Sequence, residues 1–309
     1  MHVGQRNALT IDLEDWYQGV RIHVSRWPFF EDRIEPATDR LLELLAAAGV
    51  RATFFVLGYV AQKYPRLIRA ISADGHEIAT HGYQHKVFGE CSVTEVRADL
   101  RRSIDLLEDV TQRAIRGHRA PFFSITRKTW WAMEVLAELG LQYDSSVFPI
   151  HHWRCGIPDA PRWIHTVKTE RGHVLELPPS TARVARCNVP VAGGAYLRLW
   201  PYRITAAAIK QINAKGHPAV VYLHPWELDP GRPKVKTDRS ISIAQGWNRD
   251  AMLSRICRLL GDFSFAPVEE LLRETAPDAL PSLPPTDASL VDAAIARRTC
   301  DRELATAAP

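Results

Sequence analysis

The segment Ala8–Trp16, ALTIDLEDW, is a short apolar run that ends in three carboxylates within four residues. The run from Ala8 to Asp12 predicts a β-strand, and Pro36 to Ala48 predicts a helix that presents leucines on its inward face. Gly49 ends that helix, and Ala52 to Leu57 predicts a second strand. A strand, a helix and a strand in this order form the repeating unit of a parallel sheet.

Later segments repeat this alternation of short apolar runs and amphipathic helical stretches. Further strands are predicted at His76 to Thr80, Ile115 to Arg119, Val174 to Leu177 and Pro218 to His224. Further helices are predicted at Tyr64 to Ala73, after the capping-box pair Ser92 and Glu95, at Lys128 to Leu139, at Tyr202 to Ala214 and at Asp250 to Leu260. About seven such units predict an α/β fold, namely a distorted, incomplete (β/α) barrel of about seven parallel strands.

Composition limits the classes of function. The 309 residues carry a net charge of only +4 and no basic run interleaved with aromatics, so nucleic acid is not an expected partner. No stretch is long and apolar enough for a transmembrane helix, and no apolar signal segment is recognisable, so we expect a cytoplasmic protein, or a periplasmic one if the true start lies upstream. The five cysteines are scattered and lack CxxC spacing, which predicts free thiols. The sequence gives no indication of the oligomeric state.

A metal site is one interpretation of the first two polar clusters. Crowding of Asp12, Glu14 and Asp15 requires a cation, a metal or raised pKa values, although a solvated acidic turn is the ordinary alternative. His81 and His85 are four residues apart, so on a helical turn both imidazoles could bind one ion, with Asp15 or Glu14 completing the set. Two unrelated histidines are the alternative for that pair.

Two further polar residues follow predicted strands. Arg119, two residues before Pro121, could hold a carboxylate bidentately, or could be a plain surface arginine. His224 ends an apolar strand and could protonate a leaving group with support from a carboxylate such as Asp144, or could be a core histidine. Since α/β barrels place their sites at the ends of strands, we expect these groups to converge.

Together these segments resemble the polysaccharide deacetylase family, the carbohydrate esterases of family four type, over about residues 8 to 273. The motifs that carry the resemblance occur in the family's order: Thr10-Ile11-Asp12, His81 with His85, Arg119 with Pro121, and Leu223 with His224. The chain also resembles the subgroup associated with bacterial exopolysaccharide and exosortase systems. That likeness rests on Asp12 to Trp16, Tyr143 to Ser146, Gly193 to Tyr196, and His224 to Glu227.

The resemblance implies a hydrolase that removes acetate from N-acetylated sugars with a divalent metal, in first place zinc, with cobalt or nickel as alternatives. It implies that His81, His85 and either Asp15 or Glu14 bind the metal, while Asp12 acts as the base, oriented by Arg119. His224, supported by Asp144, would protonate the departing amine, with a backbone N–H near Tyr143 at the oxyanion. Leu223 and Trp226 would line the acetyl pocket, and Trp16 or Trp153 could stack on a sugar face, although packing in the core is the ordinary alternative for each Trp.

One departure from the family pattern bears on the ligand set. The family's first motif has adjacent aspartates, whereas Leu13 follows Asp12 here, so the acidic ligand must come from Glu14 or Asp15. Three alternatives remain open: a metal-free amidohydrolase of the same superfamily, a non-catalytic carbohydrate-binding protein, and a structural metal site closed by His151 or His152. The resemblance implies that residues 1–273 form the catalytic barrel. From residue 274 the chain is rich in Pro and Ala, and this composition predicts a peripheral tail over residues 274–309, with one short helix near Ala288 to Arg298.

Overall fold

The computed structural model describes residues 5–20, 22–152, 154–233, 247–275 and 280–283. Trp153, Cys300 and the short helix predicted near 288–298 lie outside these ranges. The four cysteines within the ranges are free thiols. No helix in the described part of the chain is long and apolar enough to cross a membrane.

Most of the strands form one mixed sheet, and β8 and β9 form a separate hairpin. The strands are Asn7–Leu13 (β1), Thr53–Val56 (β2), Glu77–Thr80 (β3), Gly117–His118 (β4), Tyr143–Asp144 (β5), His165–Thr169 (β6), Gly172–Glu176 (β7), Thr181–Val184 (β8), Cys187–Pro190 (β9), Val220–Leu223 (β10), Phe265–Ala266 (β11) and Ser282–Leu283 (β12). Their order is β10-β1-β2-β3-β4-β5-β7-β6-β12, with β11 also beside β1. The strands from β10 to β7 in this order run parallel, which confirms the predicted barrel of about seven parallel strands.

Helices cover the sheet and bury its apolar face. They are Ile34–Ala48 (α1), Gly58–Lys63 (α2), Pro65–Ala73 (α3), Val93–Thr111 (α4), Ala132–Glu138 (α5), Gly194–Leu199 (α6), Tyr202–Asn213 (α7), Met252–Asp262 (α8) and Val268–Arg273 (α9). The main core joins the leucines of α1 and α4 to alternate residues of the strands, such as Leu9, Ile11 and Leu13. The capping box is confirmed, because the Ser92 and Glu95 side chains each accept a hydrogen bond from the other residue's backbone N–H.

The barrel remains open, and the chain after β7 lies across the gap. Ser180 donates its backbone N–H to the carbonyl of Val220 at 3.2 Å, and Gly193 forms an isolated parallel bridge with Tyr222. A Cβ on Gly193 would lie 1.9 Å from the Tyr222 ring, so only glycine permits this approach. This segment therefore holds Tyr222, and the strand end beyond it, in place.

At the other edge of the sheet, the N-terminal edge, a buried carboxylate joins two strands to α9. Glu77 accepts hydrogen bonds from the hydroxyls of Thr53 at 2.6 Å and Tyr143 at 2.7 Å, and from the Glu269 N–H at 3.0 Å. Burial raises the pKa of Glu77 to about 7, although these hydrogen bonds favour the charged form. The folded protein therefore retains a proton on Glu77 at pH values where the unfolded chain has lost it.

We expect this proton to make stability depend on pH. The pKa of Glu77 in the folded state exceeds its ordinary value. The protonated carboxyl therefore contributes fully to the free energy of unfolding below about pH 4.5, and this contribution is lost as the pH rises through 7. The loss is on the order of 3 kcal/mol. Glutamine stays neutral at both pH values. Glu77→Gln should therefore reduce the difference between the free energies of unfolding measured in urea at about pH 5.5 and pH 8. Equal pH slopes for the two proteins would contradict the assignment.

Candidate active site

The C-terminal edge of the parallel strands brings the predicted polar residues into one cavity. Asp12 lies near the end of β1, His81 follows β3, Arg119 follows β4 and His224 follows β10. The cavity measures about 640 Å³, and it is lined in part by Asp12, Glu14, His81, His85, Trp226 and His224. Convergence at the strand ends is the arrangement expected of an α/β barrel enzyme.

Three buried side chains form a group that could hold a metal ion. One ligand atom each from Glu14, His81 and His85 lie within 4.8 Å of one another, and Glu14 Oε2 is 2.8 Å from His85 Nε2. A Cβ on Gly19 would lie 2.4 Å from Glu14 Oε1, so glycine at that position makes room for the carboxylate. Two imidazoles and one carboxylate are a donor set typical of catalytic zinc, with positions left for water and substrate.

His81 is prepared to act as a ligand. Its Nδ1 lies 2.8 Å from the carbonyl oxygen of Arg119, a hydrogen bond that makes Nδ1 the protonated nitrogen and leaves the Nε2 lone pair available. Burial lowers the pKa of His81 to about 4, despite the opposing charge of Asp12. The imidazole is therefore neutral at pH 7, as a metal ligand must be.

His85 and two residues close to it in space have positive φ angles, which residues other than glycine rarely adopt. His85 has a φ of 53°, and the consecutive residues Phe122 and Phe123 have φ values of 55° and 52°. The His85 and Phe122 rings meet edge to face with centroids 4.6 Å apart. Such strained conformations persist where the surrounding structure fixes a functional geometry. Here the conformation of Phe122 places its ring against His85, a candidate metal ligand.

Of the two acidic ligands left open by the sequence, the structure brings Glu14 to the histidines and not Asp15. The Asp15 carboxylate accepts hydrogen bonds from the N–H groups of Trp16 and Arg33, each at 2.7 Å. Arg33 is the N-cap residue of α1, so Asp15 holds the start of that helix. Burial raises the pKa of Asp15 to about 6. Its role is therefore to anchor the helix.

Asp12 and Arg119 form a buried ion pair beside the metal group. Arg119 Nη1 donates to Asp12 Oδ1 at 2.8 Å and to the Thr10 hydroxyl at 2.9 Å, while its Nε and Nη2 bind the carbonyl and hydroxyl of Ser145. Burial alone would raise the pKa of Asp12, but the charge of Arg119, with those of His81 and His224, lowers it below its usual value. The ion pair thus favours the ionised form of Asp12 and orients it through one hydrogen bond, whereas the sequence predicts a bidentate pair.

The carboxylate that supports His224 is Glu227, and not Asp144 as predicted. Glu227 Oε2 accepts the His224 backbone N–H at 3.0 Å and lies 3.4 Å from its Nδ1. Glu227 in turn binds the buried Arg198. Burial opposes a charge on His224, but the bond to Glu227 and the charges of Glu14 and Asp12 raise its pKa to about 9. A cation at Glu14 would offset part of that effect.

Asp144 serves a separate buried network. Its Oδ1 lies 2.7 Å from His118 Nδ1 and also accepts the Ser146 hydroxyl at 2.7 Å. The Ser146 hydroxyl oxygen accepts the N–H of Ala120 at 2.7 Å. This network joins the loop after β4 to the loop after β5. Asp144 therefore supports the position of Arg119, which follows His118 directly.

Two predicted substrate-binding residues lie away from the cavity, and one lines it. Leu223 is wholly buried in the core, because alternation along β10 turns Tyr222 and His224 to the cavity instead. Tyr143 donates its hydroxyl to Glu77 at the N-terminal edge of the sheet, and the backbone N–H of Tyr143 donates to the carbonyl of Arg116. Trp226 lines the cavity and stacks on His224 with ring centroids 4.9 Å apart.

Other aromatic and histidine predictions also differ from the structure. Trp16 is buried in an aromatic cluster with Tyr17 and Trp27, so it packs in the core and does not line the cavity. His152 lines the cavity, but neither it nor His151 belongs to the metal-binding group found among the described residues. A structural site closed by one of these histidines is therefore not supported by the described residues.

The sequence interpretation assigned no role to several residues that shape the site. The sequence does contain a signal for Glu227. Pro225 favours the start of a helical turn, and such a turn brings the residue three positions after His224 back beside it. Arg198 gave no local signal, because its partner Glu227 lies 29 positions away in the sequence. Gly19 gave none either, because its close approach to the Glu14 carboxylate depends on the fold. Phe122 and Phe123 gave none, because their left-handed backbone conformations are unusual for phenylalanine.

Comparison with known proteins matches two parts of this chain to family models. Residues 27–143 match the family model described as polysaccharide deacetylase, and residues 145–273 match a domain of unknown function, DUF3473. A chitooligosaccharide deacetylase of Bradyrhizobium sp. (strain ANU 289) is 33% identical over 110 residues, which are 35% of this chain and 48% of that protein. The chain thus spans about half the length of that relative.

Solved structures show the same fold. A protein of Mycobacterium smegmatis, provisionally called a polysaccharide deacetylase, superposes with a TM-score of 0.61 at 22% identity, covering 93% of this chain and 95% of that one. The Puue allantoinase superposes with a TM-score of 0.58 at 14% identity, covering 88% and 91%. At these identities the likeness concerns the fold alone. The matched family model identifies a polysaccharide deacetylase domain at residues 27–143, and the solved structures share its fold.

Proposed function

We propose that this chain is a metal-dependent N-deacetylase that hydrolyses the acetamide of N-acetylated sugars and releases acetate. The observation that carries the proposal is one cavity holding the Glu14–His81–His85 group, the ionised Asp12 and the imidazole of His224. A ligand set, a base and an acid are the parts that metal-assisted amide hydrolysis needs. The matched family and the chitooligosaccharide deacetylase support the same reaction.

The ligand group fits a divalent cation. We propose Zn²⁺, with Co²⁺ or Ni²⁺ as alternatives, because two imidazoles and a carboxylate suit these ions. Such an ion supplies a Lewis acid for the acetamide oxygen and lowers the pKa of a bound water. The neutral state of His81 and the close approach of Glu14 to His85 support binding at this point.

The chain's own residues move the protons. Asp12 takes a proton from the attacking water, and its Oδ2 is the oxygen available for this because Oδ1 is engaged by Arg119. His224 Nε2, 3.8 Å from that oxygen, gives a proton to the sugar nitrogen as the carbon–nitrogen bond breaks. Water and the acetamide thereby yield acetate and a free amine. Glu227 holds the His224 ring through its Nδ1 side.

The biological setting we propose is the synthesis of a bacterial exopolysaccharide. Support comes from the sequence features shared with the exopolysaccharide-associated subgroup, which lie largely in the part of the chain that matches DUF3473. A metal-free amidohydrolase would not need the converged Glu14, His81 and His85. A non-catalytic binding protein would not need Asp12 held ionised opposite His224.

Glu14 and Asp15 are expected to differ sharply in metal binding. Glu14→Gln should weaken zinc binding by more than the roughly 10- to 100-fold typical of losing an outer-shell partner, because it removes a charged ligand. Asp15→Asn should keep zinc affinity and lower thermal stability, because Asp15 anchors α1. Competition titration against a zinc chelator and thermal unfolding measure the two effects. Zinc affinity lost in Asp15→Asn and kept in Glu14→Gln would reverse the assignment.

The function itself is tested by assaying acetate and free amine together. The full chain, loaded with zinc, is incubated with N-acetylglucosamine oligomers, and both products are quantified. Equal amounts of acetate and amine, with His81→Ala inactive, are the expected result. Absence of acetate from the fully zinc-loaded protein on every N-acetylated sugar tested would overturn the proposal.

A further inference from the structure

The walls of the catalytic cavity are mainly apolar away from the metal and proton-transfer groups. Rings and aliphatic side chains form them: Phe122, Phe123, Phe148, Ile150, Leu199 and Tyr222. The rings pack on each other, with the Phe123 centroid 5.0 Å from Tyr222 and 5.2 Å from Phe148. The cavity thus continues from the reacting centre along an aromatic wall.

Two large apolar side chains on this wall are open to solvent at its outer end. Leu199 is 54% exposed and Trp247 is 59% exposed, and both line the cavity. Exposed apolar surface that adjoins a pocket marks a surface for an apolar ligand. The same cavity contains the reacting centre, so an extended substrate bound there would reach this surface.

A long saccharide could stack its ring faces on the aromatic part of this wall, but its hydroxyls would find few hydrogen-bond partners there. Each sugar ring carries several hydroxyls, and a hydroxyl buried without a hydrogen-bond partner weakens binding. Away from the reacting centre, few polar side chains line the cavity, chiefly His152, Arg154 and Tyr196. An apolar chain, by contrast, gains about 0.8 kcal/mol for every methylene buried, or roughly fourfold in affinity.

On the basis of the proposed deacetylase function, we infer that the substrate is an N-acetylated sugar joined to an extended apolar chain. The acetamide lies at Glu14, His81 and His85, and the apolar chain runs along Phe123 and Tyr222 to Leu199 and Trp247. The chemistry is that of a lipid-linked sugar.

Glycosides of N-acetylglucosamine with methyl, butyl and octyl groups test this inference directly. They are assayed for acetate release below their critical micelle concentrations, beside N-acetylglucosamine oligomers of two to four sugars. We expect kcat/KM to rise from methyl to octyl by at least about tenfold, mainly through KM. Lengthening the oligomers should give no comparable rise.

Matched variants locate the effect on the wall. Trp247→Ala and Leu199→Ser should each reduce the octyl-to-methyl ratio of kcat/KM by about threefold or more, since each removes apolar contact. Ile204→Ser is the control, because Ile204 is also exposed, at 46%, and does not line the cavity. It should leave the ratio unchanged.

The outcomes separate this inference from the function on which it rests. If kcat/KM rises with the number of sugars and is indifferent to alkyl length, the inference is overturned while the deacetylase function stands. If the ratio responds equally to Ile204→Ser and Trp247→Ala, the wall assignment is overturned. If none of the compounds releases acetate, the proposed function fails and the inference with it.

Discussion

Asp12→Asn is expected to lower kcat for acetamide hydrolysis by about 10²–10⁴-fold, the usual contribution of a general base. Asparagine has nearly the same shape and can still accept a hydrogen bond from Arg119, but it cannot take a proton from water. Asp12 is not in the metal-binding group, so the zinc content should stay at the wild-type level. Steady-state kinetics with zinc analysis on the same samples measures both quantities.

The buried charge of Arg119 calls for a control, because Asp12→Asn leaves that guanidinium without its anionic partner. Thr10→Val removes a different acceptor of the same nitrogen, the hydroxyl at 2.9 Å, and leaves the carboxylate in place. It should lower thermal stability in the same direction while retaining far more activity than Asp12→Asn. Comparable loss of kcat in both variants would mean that Asp12 acts by supporting Arg119 and not as the base.

His224→Ala is expected to cause a defect that depends on the leaving group. A sugar amine is a poor leaving group until protonated, so kcat for the acetamide should fall by about 10²–10⁴-fold. With 4-nitrophenyl acetate, whose leaving group departs as a stable anion, the loss should be less than about tenfold. Glu227→Gln should show the same dependence with a smaller loss of kcat, because it weakens the support of the ring. It should also lower thermal stability, because the buried Arg198 loses its anionic partner.

His152→Ala is the matched control for that experiment. His152 lines the same cavity but lies outside the metal-binding group, and no proton transfer is assigned to it. Its replacement should affect the amide and the ester to similar extents. Equal losses on amide and ester in His224→Ala would show that His224 serves substrate binding or structure instead of protonating the amine.

The fold could be predicted because its strongest signals are local. The parallel strands read as short apolar runs, and the helices α1 and α4 show clear periodicity with a glycine stop or a capping box. The hairpins β6–β7 and β8–β9 were not predicted in full, because their strands are partly exposed and lack a continuous apolar run. The strand β12, within the predicted tail, pairs with β6 through tertiary contacts that no local pattern indicates.

The sequence predicted those residues of the site that lie at the ends of strands. Asp12 lies near the end of its strand, and His81, Arg119 and His224 directly follow theirs. These residues converge because parallel strands share one C-terminal edge. The choice between Glu14 and Asp15 depends on a tight turn at the end of β1, where the Glu14 N–H donates to the Asp12 carbonyl at 3.0 Å, and the sequence does not indicate that turn. Alternation along β10 separates Leu223 from His224.

The role given to Asp144 was wrong for a reason that sequence cannot supply. Several carboxylates lie within reach of a histidine in a barrel, and the pairings depend on the distances between loops. Asp144 lies opposite His118 because β4 and β5 are adjacent and in register at those residues. Glu227 reaches His224 through a tight turn of its own chain. The two pairings become distinguishable only when the loops are placed in space.

Zinc titration of the metal-free protein, with acetate release followed at each addition, tests the central claim most directly. The account predicts that activity is absent after chelation, rises in proportion to added zinc, and levels off at about one equivalent per chain. His81→Ala should show no rise at the same concentrations. Acetate release that continues at full rate in the metal-free protein would contradict the account.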